Sequence, residues 1–385
     1  MADQGDTRWV GSWTTTPAPM EGVALGGQTI RLIARVSIGG EKVRMRLSNA
    51  YGNRPLAVGA AHIALRGDGA DIVPGSDRTL TFNGLPAIDI AAGALVVSDP
   101  VELDVPPLVD LAVSVYVPGE VPEVTGNNTA RQTNYISPPG DFTAAPSLPV
   151  EETTLSWLLL SGIDVLVPAA TGGIVALGDS LTIGNLSAVD AYNRYTDQLA
   201  RRLVARGGRM LGVMNQGIGG NRLIHDARGG SGLRRFDRDV LAQPGLSHVI
   251  LLLGTNDLRN RSLKPEEDVT ADEMIAGLHQ LAVRAHTHGL KIFGGTVLTF
   301  ENENFNPPPG LPGLYTPERD ATRQAINAWI RETNAFDAVI DFEEALRDPD
   351  HPTRMLPLYD CGDHLHPSDE GYLRMGDIIN LSLFD

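Results

Sequence analysis

The sequence is poor in cysteine. Its 385 residues include one, Cys361, so an internal disulfide and a zinc site built from several thiolates are both excluded. Aromatic residues are also few, at 5%, whereas the hydrophobic fraction of 42% is enough for a large core. Long apolar runs are missing too, since none approaches the roughly 20 residues that a membrane-spanning helix needs. The composition therefore predicts a globular protein with no membrane span.

Basic residues are outnumbered by acidic ones. Lys and Arg total 31 against 47 Asp and Glu, which gives a net charge of −16. Because such a surface repels phosphate backbones, we expect no nucleic-acid partner. The first residues, Met1–Asp6, lack the basic and apolar regions of a signal peptide. We therefore expect a cytoplasmic protein, with a secreted mature form as the alternative. No pattern in the sequence indicates an oligomeric state.

Strand patterns dominate the first half of the chain. Thr29–Ile38 alternates apolar and polar residues with period two, and a hairpin turn follows at Gly39–Glu41. Many short strands separated by Gly, Pro, Asn and Asp predict an all-β accessory domain over residues 1–168, a sandwich of the jelly-roll type. Four arginines fall on the polar parity of the first hairpin, and we expect them to face solvent: Arg31, Arg35, Arg44 and Arg46.

Apolar strands alternate with helical patterns in the second half. The strand candidates are 174–179, 210–215, 248–253, 291–298 and 338–342. This alternation is typical of an α/β domain, in which helices cover both faces of a parallel sheet. The sequence thus predicts a five-stranded parallel sheet in a second domain, residues 169–385.

Four polar patches follow strands of this second domain or lie near the chain end. They are Gly178–Leu181, Asn215–Asn221, Gly254–Asp257 and Asp363–Pro367. Because ligands bind at the carboxyl edge of open α/β sheets, we expect the patches to meet there. Each patch alone is a common turn, loop or helix cap. Four of them at one edge indicate a reaction centre.

A serine, a histidine and an aspartate in these patches have the chemistry of acyl transfer. Ser180 becomes a good nucleophile only when a base takes its proton, and a histidine base needs a partner that fixes its tautomer. Asp363 and His366 can supply that pair. Attack on a carbonyl creates an oxyanion, for which the backbone amides of Ser180 and Gly220 and the side-chain amide of Asn256 are suitable donors.

Metal chemistry is the main competing interpretation of the last patch. Asp363, His364 and His366 could ligate a metal ion together with Asp360 or His351. A metal-dependent hydrolase, however, gives no role to the serine or to the glycines of the other patches.

Two further motifs and one further class fit less of the sequence. A dinucleotide-binding loop fails because Arg222 stands where a glycine is required. The α/β-hydrolase signature fails because Thr182 occupies the position of its last glycine. A carbohydrate-binding protein would account for the β domain and leave the polar patches without a function.

The four patches resemble the sequence blocks of the GDSL-type, or SGNH, serine hydrolases, a family of esterases, lipases, thioesterases and carbohydrate deacetylases. The resemblance covers about residues 170–385 and implies a flavodoxin-like three-layer fold with no metal or other cofactor. By this resemblance Ser180 is the nucleophile of a catalytic triad, His366 is the base, and Asp363 orients the base. Ser180, Gly220 and Asn256 form the oxyanion hole.

Within this lipase-like family we expect a carboxylesterase that acts on short-chain acyl esters through an acyl-enzyme. A carbohydrate acetylesterase is the alternative, because of the β domain, so the partner is a small-molecule or carbohydrate ester. Four neighbours of the central residues are weaker candidates for substrate binding: Leu181, Asn221, Thr255 and His364. Asp179 and Asp257 are expected to brace the loops of the site, and the stretch 300–315 to cover an acyl pocket.

Overall fold

The computed structural model describes residues 6–260, 263–304 and 314–385. The chain forms two compact units. The first consists of the chain up to Gly173 together with Leu203–Met214. The second consists of Ile174–Arg202 and Asn215–Asp385. The domain boundary at residue 168 stays a prediction. Most of the stretch 300–315, expected to cover an acyl pocket, lies outside the described residues.

Strands occur in both units and are numbered here in chain order. They are β1 Thr7–Thr14, β2 Ala18–Pro19, β3 Gln28–Arg35, β4 Gly40–Ser48, β5 Leu56–Val58, β6 Ala60–Leu65, β7 Arg78–Thr79, β8 Ile88–Ile90, β9 Leu95–Val97, β10 Val101–Val105, β11 Asp110–Val117, β12 Thr125–Asn127, β13 Asn134–Pro139, β14 Glu152–Thr154, β15 Trp157–Leu158, β16 Leu160–Pro168, β17 Gly172–Gly178, β18 Leu211–Gly217, β19 Leu246–Leu252, β20 Lys291–Gly295 and β21 Ala338–Ile340.

Antiparallel pairing dominates the first unit. One sheet has the strand order β1-β16-β4-β10, with β9 also paired to β4, and another has the order β14-β13-β3-β11-β6-β7. Strand β3 pairs with β11 along its whole length, from Gln28 opposite Val117 to Arg35 opposite Asp110. The prediction of a β-rich first half is therefore confirmed. Its assignment as a jelly roll stays a prediction.

The expectation that the polar-parity arginines face solvent is wrong for Arg31 and Arg46. Arg31 is 0% exposed, and its guanidinium donates to the carbonyl oxygens of Ala70 at 2.6 Å and Ala145 at 2.8 Å. Loops thus cover this face of the sheet and supply it with acceptors. Arg46 is 6% exposed, and its Nε lies 3.2 Å from the buried carboxylate of Asp164. Burial is tolerated at both positions because each charge has polar partners.

Helices occur mainly in the second unit. They are α1 Ser180–Ile183, α2 Tyr195–Arg206, α3 Gly232–Phe236, α4 Thr255–Arg259, α5 Ala271–Thr287, α6 Pro317–Glu332, α7 Phe342–Leu346 and α8 Asp369–Asp377, with a π-turn at Asp237–Leu241 and short 3-10 turns at Pro265–Glu267, Pro357–Tyr359 and Leu381–Phe384. Within the ranges given above, no helix combines the length and the apolar character that crossing a bilayer requires.

The longest helices start where the sequence predicts. Thr270 and Glu273 form a reciprocal capping box at α5, because Glu273 N donates to Thr270 Oγ1 at 3.2 Å and Thr270 N donates to Glu273 Oε2 at 2.8 Å. At α6, Thr316 Oγ1 accepts from Arg319 N at 3.2 Å and Pro317 occupies the first turn.

A five-stranded parallel sheet organises the second half of the chain, as predicted. Its strand order is β18-β17-β19-β20-β21. The chain moves outward from β17 to β18, then returns across β17 to β19 and continues in the opposite direction. Because crossovers between parallel strands are right-handed, this reversal sends helices to both faces and creates a switch point between β17 and β19. Ligands of such sheets bind at the switch point, beyond the carboxyl ends of the two strands.

Candidate active site

Ser180 lies where strand β17 is followed by helix α1, on one side of the switch point. Every residue of β17 is buried. At Gly178, an added Cβ would collide with the side chain of Thr182, so the strand has to end in glycine. Asp179 caps the helix, since its Oδ1 accepts from Leu181 N at 2.9 Å. Ser180 is 7% exposed and is presented at the sheet edge.

A tight turn brings Asp363 and His366 together. Asp363 Oδ1 accepts from Leu365 N at 3.0 Å and from His366 N at 2.8 Å. His364, inside the turn, adopts a left-handed backbone with φ of 60°. Asp363 Oδ2 lies 2.6 Å from His366 Nδ1. The carboxylate is therefore held by the backbone on one oxygen and faces the imidazole ring with the other.

The imidazole of His366 links the aspartate to the serine. Its Nε2 lies 2.9 Å from Ser180 Oγ, and the histidine is 8% exposed. With Asp363 ionised, Nδ1 carries the ring hydrogen and Nε2 accepts from the serine hydroxyl. The structure thus brings Ser180, His366 and Asp363 together in the geometry that proton transfer requires.

The electrostatics of Asp363 favour its ionised form. Burial alone would raise the pKa of Asp363, but the hydrogen bond and charge of His366 and the N–H groups of Leu365 and His366 outweigh it. The pKa of the carboxyl consequently lies well below its ordinary value. Asp363 can therefore stabilise an imidazolium when His366 takes a proton.

Asn256 lies on the other side of the switch point, in helix α4 after strand β19. It is 5% exposed, and its Nδ2 donates to Asp179 Oδ2 and to the backbone oxygen of Asn221, each at 3.1 Å. Asp179 directly precedes Ser180, so these bonds place the Asn256 amide next to that serine. Gly220 lies in the loop after β18 and has a φ of 77°, a left-handed conformation that favours glycine.

The expected bracing roles of Asp179 and Asp257 are confirmed by their contacts. Asp179 joins helix α1 to Asn256, as described above. The carboxylate of Asp257 accepts from Leu223 N at 2.7 Å and from Ile224 N at 3.0 Å, and thereby fixes the loop that contains Asn221. Burial raises the pKa of both Asp179 and Asp257 to about 6.

The four weaker candidates lie around the site in different settings. Leu181 and Thr255 are buried, at 1% and 3% exposed, each at the start of its helix. Asn221 is 0% exposed, and its side chain bonds to Gly230 O at 2.9 Å and to Arg235 Nε at 3.0 Å. The side chain of His364 is 46% exposed, and its Nδ1 lies 2.6 Å from Asp360 Oδ2. Substrate contact stays a prediction for all four.

The acidic turn before His366 contains three residues of the metal interpretation, Asp360, Asp363 and His364. Ligand atoms of Asp360, Cys361 and Asp363 lie within 4.8 Å of one another. Asp360 already accepts from Gly362 N at 2.8 Å and His364 N at 3.1 Å, and Asp363 Oδ2 faces His366. These oxygens thus have structural hydrogen-bond roles in the turn.

Two residues that contact the site were not identified from the sequence. Asn185 Nδ2 lies 3.3 Å from His366 Nε2, the ring nitrogen that also faces Ser180. Arg259 Nη1 donates to Asn256 Oδ1 at 3.1 Å. The spacing of Asn256 and Arg259, three apart on one helix, is a signal that could have identified the second contact.

A parallel sheet with a Ser-His-Asp cluster at its carboxyl edge is typical of an α/β serine hydrolase. The chain belongs to the GDSL-like lipase/acylhydrolase family, whose sequence profile matches residues 176–374, just over half of the chain. The protein is therefore a carboxylic ester hydrolase. Comparison with curated proteins finds no significant sequence match.

Solved structures of low sequence identity are similar to part of the chain. A GDSL-like lipase from Bacteroides thetaiotaomicron is 19% identical with a TM-score of 0.41, and the match covers 55% of this chain and 87% of that one. An acetylxylan esterase from Geobacillus stearothermophilus is 20% identical with a TM-score of 0.39, covering 55% of this chain and 94% of the esterase.

Proposed function

We propose that the protein is a carboxylesterase that hydrolyses short-chain acyl esters through a covalent intermediate on Ser180. The observation that carries the proposal is the continuous hydrogen-bonded series Ser180 Oγ, His366 Nε2, His366 Nδ1 and Asp363 Oδ2, with separations of 2.9 and 2.6 Å. Both distances lie within the range for direct proton transfer.

The first half of the reaction forms the acyl-enzyme. His366 Nε2 takes the hydroxyl proton while Ser180 Oγ bonds to the ester carbonyl carbon, and the carbonyl oxygen becomes an oxyanion. Collapse of this intermediate breaks the bond to the alcohol, which leaves with the proton from Nε2. Asp363 remains ionised throughout and stabilises the imidazolium of His366.

The second half repeats these steps with water. His366 Nε2 takes a proton from water as its oxygen bonds to the acyl carbon, and the second intermediate releases Ser180 Oγ, which regains its proton from Nε2. The products are the carboxylic acid and the free enzyme. In both halves the oxyanion would accept hydrogen bonds from the backbone amides of Ser180 and Gly220 and from Asn256 Nδ2.

Limited exposure of the reacting groups supports a preference for small acyl groups. Ser180 and His366 are 7% and 8% exposed, so little of either side chain is in contact with solvent. An acetyl or propionyl group needs less room than a long acyl chain. A carbohydrate acetylesterase shares this requirement and differs only in the alcohol.

A panel of esters tests the proposal. We expect rates with p-nitrophenyl esters to fall as the acyl chain lengthens from acetate to octanoate, and an acetylated xylan oligosaccharide in the same panel separates the two alcohols. Ser180→Ala should abolish hydrolysis, whereas Ser231→Ala, which removes a buried serine at the start of α3, should retain it. A phosphonate should label Ser180 alone and stop turnover.

Two results would contradict the proposal. Retained turnover by Ser180→Ala would show that Ser180 is not the nucleophile. Loss of activity in a chelator, with no effect of the phosphonate, would favour a metal-dependent hydrolase.

A further inference from the structure

The side chain of Asn256 is held from both ends. Its nitrogen donates to two acceptors, Asp179 Oδ2 and Asn221 O, each at 3.1 Å. Its oxygen faces a donor, Arg259 Nη1, at 3.1 Å. Because an amide nitrogen has two N–H groups, an oxyanion would share one of them with Asp179 or Asn221. Since Asn256 and Arg259 are both 5% exposed, little solvent is available to replace these contacts.

This arrangement decides which end of the amide is the nitrogen. The two ends of an asparagine side chain have almost the same shape, so only hydrogen bonds distinguish them. A flipped amide would direct its oxygen toward the carboxylate of Asp179 and its NH2 group toward the guanidinium of Arg259. Both contacts would then be repulsive, and no side-chain donor would face an oxyanion.

Arg259 also changes the strength of the donor. A hydrogen bond from a charged donor to the amide oxygen draws electron density away from Nδ2. The N–H groups of Asn256 therefore become better donors than those of an amide with a neutral partner. That effect increases as negative charge develops on a group bound to Nδ2, so it favours the transition state over the substrate.

Glu303 balances the charge of Arg259. Its carboxylate pairs with Nε and Nη2 of the guanidinium, and the two side chains are 6% and 3% exposed. The pairing uses the side of the guanidinium opposite to Asn256 and leaves Nη1 directed at the amide. Without its partner, Arg259 would be an uncompensated buried charge.

We infer that Arg259 is a positioning residue of the reaction, which acts through Asn256 by fixing the orientation of its amide and strengthening it as an oxyanion donor, with Glu303 as the compensating charge. The inference rests on the proposed function, because it requires an oxyanion that binds at Asn256 Nδ2.

A double-mutant cycle tests the inference. The variants are Asn256→Ala, Arg259→Met and the combination of the two, assayed with p-nitrophenyl acetate. Loss of an oxyanion donor lowers kcat by about 10²–10³-fold, so we expect that loss for Asn256→Ala and about 10-fold or more for Arg259→Met. KM should stay within about threefold, since the interaction strengthens only in the transition state. If Arg259 acts through Asn256, the double variant should be no slower than Asn256→Ala alone. If the loss of kcat in the double variant equals the product of the losses in the two single variants, the inference is overturned.

A second set of variants separates positioning from stability. Arg259→Met/Glu303→Met removes both buried charges, which is far less destabilising than removing one. Its kcat should remain as low as that of Arg259→Met, whereas recovery of wild-type turnover would show that the single variant was only destabilised. Arg323→Met is the matched control, because Arg323 forms a comparably buried ion pair with Asp320 at 2.7 Å. It should lower the melting temperature and leave kcat unchanged.

A transition-state analogue gives an independent measurement. An alkyl boronic acid that forms a tetrahedral adduct on Ser180 should bind Arg259→Met more weakly by about the same factor as kcat/KM falls. Equal affinity would overturn the inference. Failure of the proposed function looks different, because Ser180→Ala would then retain activity and the phosphonate would not label the enzyme.

Discussion

Replacing Asp363 with asparagine should reverse the tautomer of His366 while leaving the turn intact. Asp363 Oδ1 accepts from Leu365 N at 3.0 Å and His366 N at 2.8 Å, so the carbonyl oxygen of an asparagine would keep this position. Its NH2 group would then take the place of Oδ2, 2.6 Å from His366 Nδ1. An N–H group directed at Nδ1 requires that nitrogen to be an acceptor, which moves the ring hydrogen to Nε2. Protonated Nε2 cannot take the proton of Ser180.

The expected loss is large in activity and small in stability. The wrong tautomer in a Ser-His-Asp triad lowers kcat by about 10⁴-fold, which corresponds to about 5.4 kcal/mol of transition-state stabilisation. The two backbone hydrogen bonds of the turn persist, so the free energy of unfolding at pH 7 should fall by only about 1.5–3 kcal/mol, the contribution of the hydrogen bond to a charged carboxylate that is lost.

The assay is the kcat for p-nitrophenyl acetate, together with ¹⁵N NMR of the histidine ring nitrogens and thermal unfolding. In Asp363→Asn the nitrogen that carries the hydrogen should change from Nδ1 to Nε2. Asp363→Ala is the control, because it removes the carboxylate without imposing the wrong tautomer, and it should be less impaired than Asp363→Asn. A variant within tenfold of wild type, or one that keeps the Nδ1 hydrogen, would refute this reasoning.

Three further predictions follow from single sites. Burial raises the pKa of Asp257 to about 6, so the native state binds its proton more tightly than the unfolded chain does. Its contribution should make the free energy of unfolding decrease by about 3 kcal/mol as the pH rises from about 4 to about 6, and in urea unfolding of Asp257→Asn the total decrease, to which Asp179 also contributes, should be smaller by that amount. Gly178→Ala should lower the melting temperature by an amount equivalent to roughly 1–3 kcal/mol, because the new methyl group meets Thr182, and a variant as stable as wild type would contradict it. Thr270→Ala removes the capping box of α5 and should cost about 1 kcal/mol in urea unfolding with unchanged ester hydrolysis.

The parallel sheet could be predicted from sequence because each of its strands is a short apolar run followed by a glycine, a turn or a helix signal. Such runs are buried on both faces, so their signal does not depend on what surrounds them. The residue at which β20 ends was harder to predict from sequence. The strand stops at Gly295, because Val297 N donates instead to Asn327 Oδ1 on α6 at 2.7 Å. A side chain 30 residues away thus ends the pairing that the apolar sequence suggested up to residue 298.

Arg31 shows why alternation misleads in the β-rich half. A polar residue on the outward parity of a strand indicates solvent only if nothing covers that face. Here the carbonyl oxygens of Ala70 and Ala145 contact the guanidinium, and both belong to loops that are distant in sequence. The period-two pattern identifies the strand correctly, but it carries no information about loops that fold across the sheet.

The cluster of Ser180, Asp363 and His366 was accessible from sequence for a different reason. Asp363 and His366 lie in one turn, and Ser180 ends a strand, so local spacing already fixes most of their geometry. Glu303 has no such signal, since it lies 44 residues from Arg259 and nothing in the sequence distinguishes it from the other acidic residues. Only the folded chain shows that this pair is buried and directed at Asn256.

The strand order explains why a residue as distant in sequence as Glu303 affects the site. Ser180 and Asn256 follow β17 and β19, the two strands that flank the switch point, so the fold alone brings the serine and the amide to one place. It does not determine which end of the amide faces the substrate. That choice depends on a donor from α4 and on a carboxylate that follows β20, outside all four sequence blocks. A substitution at Glu303 can therefore reduce turnover while every residue of the blocks is unchanged, and comparison of the blocks alone would not anticipate it.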